Sequence, residues 1–278
     1  PESGIGNISL EIRASNSIGV DYIQHTIVVG DSYSYPLTFV EGIRNQPLSP
    51  VTPISSGLYN ASFSIEPDLP LGVNFNTLSG VISGTPVENN TLTNYTITYS
   101  NHYGAVSVNV QMIVYEPAAD ITYPVSEIIL TRSSGFAEYT PTVSNGVVSE
   151  WSIHPPLPDG LSFVDGVISG QASNNQTLTT YRIYGNNSGG VSFVDLNITV
   201  LEPAPEFIPL QSQYFVERGQ VLTDIVVSNI GGYVSTWTIT PELPEGLEFN
   251  DGTISGTPTV NMSAIIFTIR GENTGGYY

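Results

Sequence analysis

A repeat with a period of 86 residues is the feature that most constrains what this chain can fold into. Its clearest anchor is the first glycine of a Gly-x-Ile-Ser-Gly segment, which occurs three times, at Gly80, Gly166 and Gly252. The same interval separates Trp151 from Trp237. Self-similarity at a fixed period indicates repeated structural units. The sequence therefore predicts a tandem array of similar modules.

The alignment of these repeats also predicts the module boundaries. Two complete modules are expected, at 31–117 and 118–203. Residues 1–30 align with the last two strands of a module and are expected to form an incomplete one. Residues 204–278 align with a module that lacks its final strand. The modules are joined by two short linkers, Glu116-Pro117-Ala118 and Glu202-Pro203-Ala204, and proline stiffens such segments.

Composition and periodicity predict that each module is all-β. The chain is 40% hydrophobic, with 16 Tyr, 27 Gly and 20 Pro. Aromatic and β-branched residues favour strands, whereas Gly and Pro favour turns. Apolar and polar residues alternate along 108–114 and 194–200, and Asn187-Ser188-Gly189-Gly190 indicates a hairpin turn. About seven short strands per module are typical of an immunoglobulin-type β-sandwich, and we expect the tandem modules to be arranged as a rod.

The composition of the chain argues against nucleic-acid binding, membrane insertion and cysteine chemistry. Six arginines, no lysines and 25 acidic residues give a net charge of −19. So few dispersed cations cannot neutralise a phosphate backbone, which excludes nucleic acid as a partner. No run of about 18 apolar residues occurs, so membrane insertion is not expected. The absence of cysteine excludes disulfides and thiolate chemistry within the chain.

The repeated motifs resemble the immunoglobulin-like, cadherin-like repeat family of large bacterial and archaeal surface proteins. Its pattern Trp-x-Ile-x-Pro-x-Leu-Pro-x-Gly-Leu-x-Phe is met from Trp151 to Phe163 and from Trp237 to Phe249, while Phe63 stands in for the tryptophan in the first complete copy. The resemblance covers essentially the whole chain. It implies Ig-like sandwiches that serve as stalks, spacers or adhesive arrays at an extracellular or cell-surface location. It implies no shared catalytic site.

No catalytic or cofactor-binding motif stands out in the sequence. The three histidines do not recur in the repeat, and the chain has no nucleophile elbow, zinc-protease motif or phosphate-binding loop. We therefore predict a protein that is not an enzyme.

Acidic residues bracket both linkers at a spacing of four. The first pair is Glu116 and Asp120, and the second is Glu202 and Glu206. Carboxylates gathered at a module junction supply the oxygen ligands that calcium prefers, so these four residues are candidate calcium ligands. The alternative is a solvated acidic surface around each proline linker.

Eight Asn-x-Ser/Thr sequences are candidate N-glycosylation sites. Three fall in frame, one per module, in the polar loop after the Ile-Ser-Gly segment, at Asn89, Asn175 and Asn261. The other five are Asn7, Asn60, Asn94, Asn186 and Asn197. Because Asn197 alternates with apolar neighbours, its side chain is expected to face outward. The alternative is that these loops simply favour Asn and Thr.

Together these observations predict a structural repeat array of an extracellular filament or cell-surface stalk. Such an array gives length and stiffness and packs against neighbouring modules or identical subunits. One alternative is a calcium-dependent adhesin or glycan-binding surface receptor, in which loops should differ strongly between modules. Another is a spacer attached to an enzyme domain outside this chain. The regular 86-residue period favours the structural array.

Overall fold

The computed structural model describes residues 7–28, 33–55, 61–101 and 104–278. Every helix or strand in these residues is a β-strand, which confirms the all-β prediction. No helix with the length and hydrophobicity of a membrane span occurs in the same residues. The chain divides into two compact units. The first is Pro1–Ala118 together with Asn145–Val147 and Asn187–Gly190. The second is Ala119–Ser144 together with Val148–Asn186 and Val191–Tyr278. The predicted module boundaries stay a prediction.

The first eleven strands precede the first linker. They are β1 Asn7–Ser15, β2 Val20–Val28, β3 Tyr33–Ser34, β4 Phe39–Ile43, β5 Leu48–Val51, β6 Ile54–Ser55, β7 Ser62–Glu66, β8 Val73–Phe75, β9 Ile82–Gly84, β10 Asn90–Asn101 and β11 Gly104–Tyr115. Strands β1 and β2 pair antiparallel as a two-stranded sheet.

The remaining fourteen described strands lie on either side of the second linker. The eight strands up to the second linker are β12 Asp120–Thr122, β13 Glu127–Thr131, β14 Thr142–Ser144, β15 Glu150–His154, β16 Leu161–Val164, β17 Val167–Gly170, β18 Gln176–Asn187 and β19 Gly190–Leu201. The last six are β20 Ile225–Val226, β21 Thr236–Thr240, β22 Leu247–Asn250, β23 Thr253–Gly256, β24 Thr268–Asn273 and β25 Gly276–Tyr277.

Two four-stranded sheets have the same topology. Their strand orders are β4-β11-β10-β7 and β13-β19-β18-β15. In each sheet the last long strand pairs in parallel with a short early strand, with Val40 opposite Met112 and Ile128 opposite Ile198. The other pairs with described registers in these sheets are antiparallel. The antiparallel pairs are typical of immunoglobulin-like sandwiches, and each sheet adds one parallel pair at its edge.

Each of these sheets packs against a smaller one to form a core. In residues 33–115, Met112 and Ile97 of the four-stranded sheet share a fully buried core with Ile82 of the sheet β5-β9-β8. In residues 119–202, Ile183 and Ile198 pack in the same way with Ile168. The third core is smaller and holds three buried residues, Phe207, Val227 and Val234, with Trp237 and Ile269 packed against them.

The glycines of the repeat motif have a steric explanation. Gly160, in the Leu-Pro-x-Gly motif, has a φ of +88°, and a Cβ there would overlap the carbonyl oxygen of Gln171. The anchor glycine Gly166 also accepts a hydrogen bond on its carbonyl oxygen from the Tyr123 hydroxyl, and burial raises the pKa of Tyr123. Gly160 lies in the connection from β15 to β16, and Gly166 lies in the hairpin turn between β16 and β17. Cis peptide bonds precede Pro67, Pro155 and Pro241 at matching positions.

Candidate functional site at the module linkers

The first glutamate of each linker is buried and ion-paired. The Nε of Arg44 lies 2.7 Å from Oε2 of Glu116. The guanidinium of Arg132 binds Glu202 through two parallel contacts, with Nε 2.9 Å from Oε2 and Nη2 2.5 Å from Oε1. Both glutamates are classed as buried. The sequence analysis missed these two arginines, although they occupy matching positions in the two modules.

The pairing with arginine favours the ionised form of Glu202. The hydrogen bond from Arg132 lowers the pKa of the Glu202 carboxyl, and although burial opposes this effect, the charge of Arg132 and a hydrogen bond from the backbone N–H of Tyr233 add to it. The same hydrogen bond raises the pKa of Arg132. Glu202 is therefore held as a carboxylate by an arginine 70 positions earlier in the chain.

The other two candidate calcium ligands are exposed. Asp120 and Glu206 lie at the surface, and the backbone N–H of Glu206 donates to Oδ1 of Asn229 at 3.1 Å. No group of three or more Asp, Glu or His side chains that could hold a metal ion occurs in the described part of the chain. Glu116 and Glu202 are each held by an arginine. Calcium binding at Glu116, Asp120, Glu202 and Glu206 stays a prediction.

An asparagine side chain also holds each linker, and the first of the two, Asn187, lies in the hairpin turn predicted from sequence. Asn187 donates through Nδ2 to the carbonyl oxygens of Pro117 at 2.7 Å and Val147 at 2.9 Å. Asn273 donates in the same way to Pro203 at 2.7 Å and Tyr233 at 2.8 Å. Recurrence at the 86-residue interval was the signal for this role.

The residues that follow each asparagine complete the linker contacts. The hydroxyl of Ser188 accepts a hydrogen bond from the backbone N–H of Glu116 at 2.9 Å, and that of Thr274 accepts one from Glu202 at 3.0 Å. A Cβ on Gly275 would overlap the carbonyl oxygen of Glu202. The Asn-Ser/Thr-Gly-Gly motif thus combines a tight turn, which confirms the predicted hairpin at 187–190, with a surface that fits the linker backbone. We call this set of contacts the linker clamp.

The second linker clamp borders an open cleft of about 400 Å³, which we call the linker cleft. Tyr233 lines this cleft, and 73% of the residue is exposed. The cleft is lined by Arg132, Ser173, Asn174, Asn175, Glu202, Tyr233, Ser235, Asn273 and Thr274. Most of these side chains carry hydrogen-bonding groups, so the cleft suits a polar ligand.

The candidate glycosylation sites differ in accessibility. Four asparagines are exposed, namely Asn89, Asn94, Asn175 and Asn261. Asn197 and Asn186 are half-buried. Oδ1 of Asn197 accepts a hydrogen bond from the Thr180 hydroxyl at 2.8 Å. Oδ1 of Asn186 is buried without a hydrogen-bond partner. Asn60 and the side chain of Asn7 lie outside the described residues. Glycosylation of all eight stays a prediction.

Comparisons with known proteins agree with the Ig-like interpretation. Residues 20–116 match the family model described as "Putative Ig domain". No curated protein matches the chain.

Among solved structures, extracellular domains 3–5 of Drosophila OTK are 15% identical to the chain over 88% of its length and 92% of theirs, with a TM-score of 0.37. The titin I-band fragment I67–I69 is 14% identical over 88% of this chain and 95% of that fragment, with a TM-score of 0.39. Drosophila N-cadherin EC1–4 is 12% identical over 95% of this chain and 78% of that structure, with a TM-score of 0.30.

The family match covers the segment 20–116, which spans all but the last residue of the first predicted complete module, 31–117. The sandwich topology of residues 33–115 recurs in 119–202, and the repeat motifs continue to residue 278. The predicted resemblance is confirmed: residues 20–116 match the Putative Ig domain family, and the same sheet topology recurs in the following residues.

Proposed function

We propose that the chain is a structural repeat array of an extracellular filament or cell-surface stalk, without a catalytic role. The observation that carries this proposal is the linker clamp. Matching residues hold both linkers, which is the arrangement required of a protein whose task is to keep successive modules in a fixed orientation. A flexible tether would instead have a Gly/Ser-rich linker that behaves as a random coil.

Several polar groups of each linker form hydrogen bonds with other parts of the chain. At the second linker, the N–H and carboxylate of Glu202 and the carbonyl oxygen of Pro203 all have partners. Each such hydrogen bond contributes about 1 kcal/mol net, and leaving a buried group without its partner costs about 1–3 kcal/mol. Bending at this linker would break several of these contacts at once, so the clamp is expected to stiffen it.

The surface chemistry supports an extracellular setting. A net charge of −19 without lysine keeps a long array soluble and discourages self-aggregation. Exposed Asn-x-Ser/Thr sequences, one in frame per module, offer positions for protective glycans. The proposed partners are like modules or identical subunits that pack beside the array.

The proposal is tested by measuring a distance across the second linker. Because the chain has no cysteine, Ser134→Cys and Glu248→Cys, both at exposed positions, would carry two spin labels and nothing else would react. Pulsed electron spin resonance should give a narrow distance distribution, and the additional change Asn273→Ala should broaden it. Asn174→Ala is the control, since its amide makes only one long contact of 3.4 Å to Asp159. A broad distribution that Asn273→Ala leaves unchanged would contradict the proposal.

The same labelled chain separates the structural array from a calcium-dependent adhesin. A clamp made of hydrogen bonds and the ion pair between Arg132 and Glu202 should give the same distances between the spin labels in calcium and in a chelator. If carboxylates at the linkers bind calcium, the distribution should narrow only when calcium is added. Negative-stain electron microscopy of the chain under both conditions would show whether assembly into filaments is independent of calcium.

A further inference from the structure

We propose that the linker cleft binds a neutral saccharide, with the ring of Tyr233 as the surface on which the sugar rests. This inference goes beyond the structural role and does not depend on it. A sugar ring combines an apolar face of C–H groups with an edge of hydroxyls. It therefore fits a site that offers one aromatic face among hydrogen-bonding groups.

The backbone holds Tyr233 in place while its ring stays open to solvent. Its carbonyl oxygen accepts a hydrogen bond from Nδ2 of Asn273 at 2.8 Å. The preceding Gly232 donates through its N–H to Ala204 at 3.0 Å. A ligand would thus meet a ring whose main chain is already ordered, which reduces the entropy cost of binding.

The aromatic surface is particular to the second linker. The residue 86 positions before Tyr233 is Val147, which is 57% exposed. The linker clamp itself is repeated at both linkers, so it does not require a tyrosine at this position. Tyr233 is therefore not accounted for by the clamp, and its exposed ring beside the cleft offers a face on which a ligand can stack.

The rest of the cleft determines what kind of ligand fits. Asn174, Asn175, Ser235 and Thr274 are among the residues that line it. A volume of about 400 Å³ falls in the range of small-molecule sites. The wall combines polar and apolar surface, which suits a ligand that carries both hydroxyls and C–H faces.

Charge favours a neutral sugar over an anionic one. The charged side chains that line the cleft are Arg132 and Glu202, and they neutralise each other as an ion pair. An anionic saccharide would also meet the net charge of −19. The sugar itself could come from a separate saccharide or from an N-glycan attached to Asn175, which lies at the cleft and is exposed.

The test uses the 278-residue chain from a host that does not glycosylate it. Neutral N,N′-diacetylchitobiose and cellobiose, and anionic sialyllactose, are titrated while amide NMR signals are followed. We expect the neutral sugars to shift the signals of residues 173–175 and 233–235, and sialyllactose to bind more weakly. Tyr233→Ala should weaken binding about three- to tenfold, whereas Tyr233→Phe should retain it.

Tyr214→Ala is the matched control, since Tyr214 is a partly exposed tyrosine outside the cleft. The dispersion of the NMR spectrum and the emission of Trp237 would establish that each variant is folded. Absence of shifts with the neutral sugars at tens of millimolar, or equal binding by wild type and a folded Tyr233→Ala, would overturn the proposal.

Protein from a glycosylating host distinguishes the two sources of sugar. If the glycan on Asn175 fills the cleft, the glycosylated chain should not bind the free disaccharide, and Asn175→Gln from the same host should regain binding. If the ligand is a separate saccharide, both proteins should bind it. Binding of the disaccharide by the unglycosylated chain is the reference for both results.

Discussion

The side-chain Nδ2 of Asn273 lies 2.7 Å from the carbonyl oxygen of Pro203, 70 positions earlier in the chain. The same distance and the same separation relate Asn187 to Pro117. A side-chain amide is well suited to this role, because its two N–H groups reach two carbonyl oxygens while its oxygen accepts a third bond, here from Gly275 at 2.8 Å. The recurrence of this geometry makes the clamp a property of the repeat.

Asn273→Ala should destabilise the residues after the second linker by about 1–3 kcal/mol, because it removes two donors and leaves the Pro203 carbonyl without its partner. Denaturant unfolding followed by tryptophan fluorescence measures this change, since Trp237 lies in this region. Asn174→Ala should alter stability by less than about 0.5 kcal/mol. Equal unfolding midpoints for the two variants would exclude an energetic role for the clamp.

The ion pair between Arg132 and Glu202 should make stability depend on pH. Because the folded pKa of Glu202 lies below its ordinary value of 4.5, the unfolded chain binds a proton more readily. The contribution of the pair is then present above about pH 4.5 and declines as the pH falls through the folded pKa. Glu202→Gln should therefore lower stability at pH 7 and should lose less stability than wild type on acidification.

Thermal unfolding of wild type and Glu202→Gln between pH 7 and pH 3 checks this prediction. Glu272→Gln is the matched control, because Glu272 forms an exposed ion pair with Arg270. Exposed pairs contribute little to stability, so this variant should follow the wild-type pH profile. Parallel profiles for wild type and Glu202→Gln would show that the pair has no influence on acid stability.

Gly160→Ala should reduce the stability of its module by about 2 kcal/mol or more. The residue has a φ of +88°, and the added methyl group would overlap the carbonyl oxygen of Gln171. Gly135→Ala provides the comparison in the same module, because a Cβ at Gly135 meets no atom within 4 Å. Urea unfolding monitored at Trp151 should separate the two variants clearly; if both behave alike, the steric account of the motif is wrong.

Expression in a glycosylating host should modify the accessible sites selectively. Glycans are expected on the exposed Asn89, Asn94, Asn175 and Asn261. Asn186 should stay unmodified in the folded protein, because its side-chain oxygen is buried. Peptide mapping by mass spectrometry gives the occupancy of each site. Occupancy at Asn186 equal to that at Asn175 would mean that accessibility in the folded state does not control modification.

Periodicity in the sequence was enough to predict the strands and the fold class. The alternation along 108–114 and 194–200 falls within β11 and β19, whose burial alternates as expected. Asn197 follows this pattern, yet it is only half-exposed because the strand lies between β13 and β18 and Thr180 contacts its side chain. Local pattern indicates which face a residue occupies, whereas its exposure also depends on neighbouring strands.

The candidate site was less predictable because its contacts join residues far apart in sequence. Acidic residues at the linkers suggested calcium, but Glu116 and Glu202 are paired with arginines that lie 72 and 70 positions earlier. The arginines recur with the repeat, so this part of the arrangement was accessible in principle. The linker cleft was not, since only the fold brings Ser173, Tyr233 and Thr274 to one place.

The spacing of the clamp gives the array a direction. Each linker is followed by about 70 residues before the asparagine that holds it, so a ribosome adding 5–20 residues per second completes the clamp roughly 4–14 seconds after the linker is made. A newly made linker therefore lacks its asparagine partner until the following residues have been made and have folded. The clamps are completed in order from the amino terminus, each by residues synthesised after the linker that they hold.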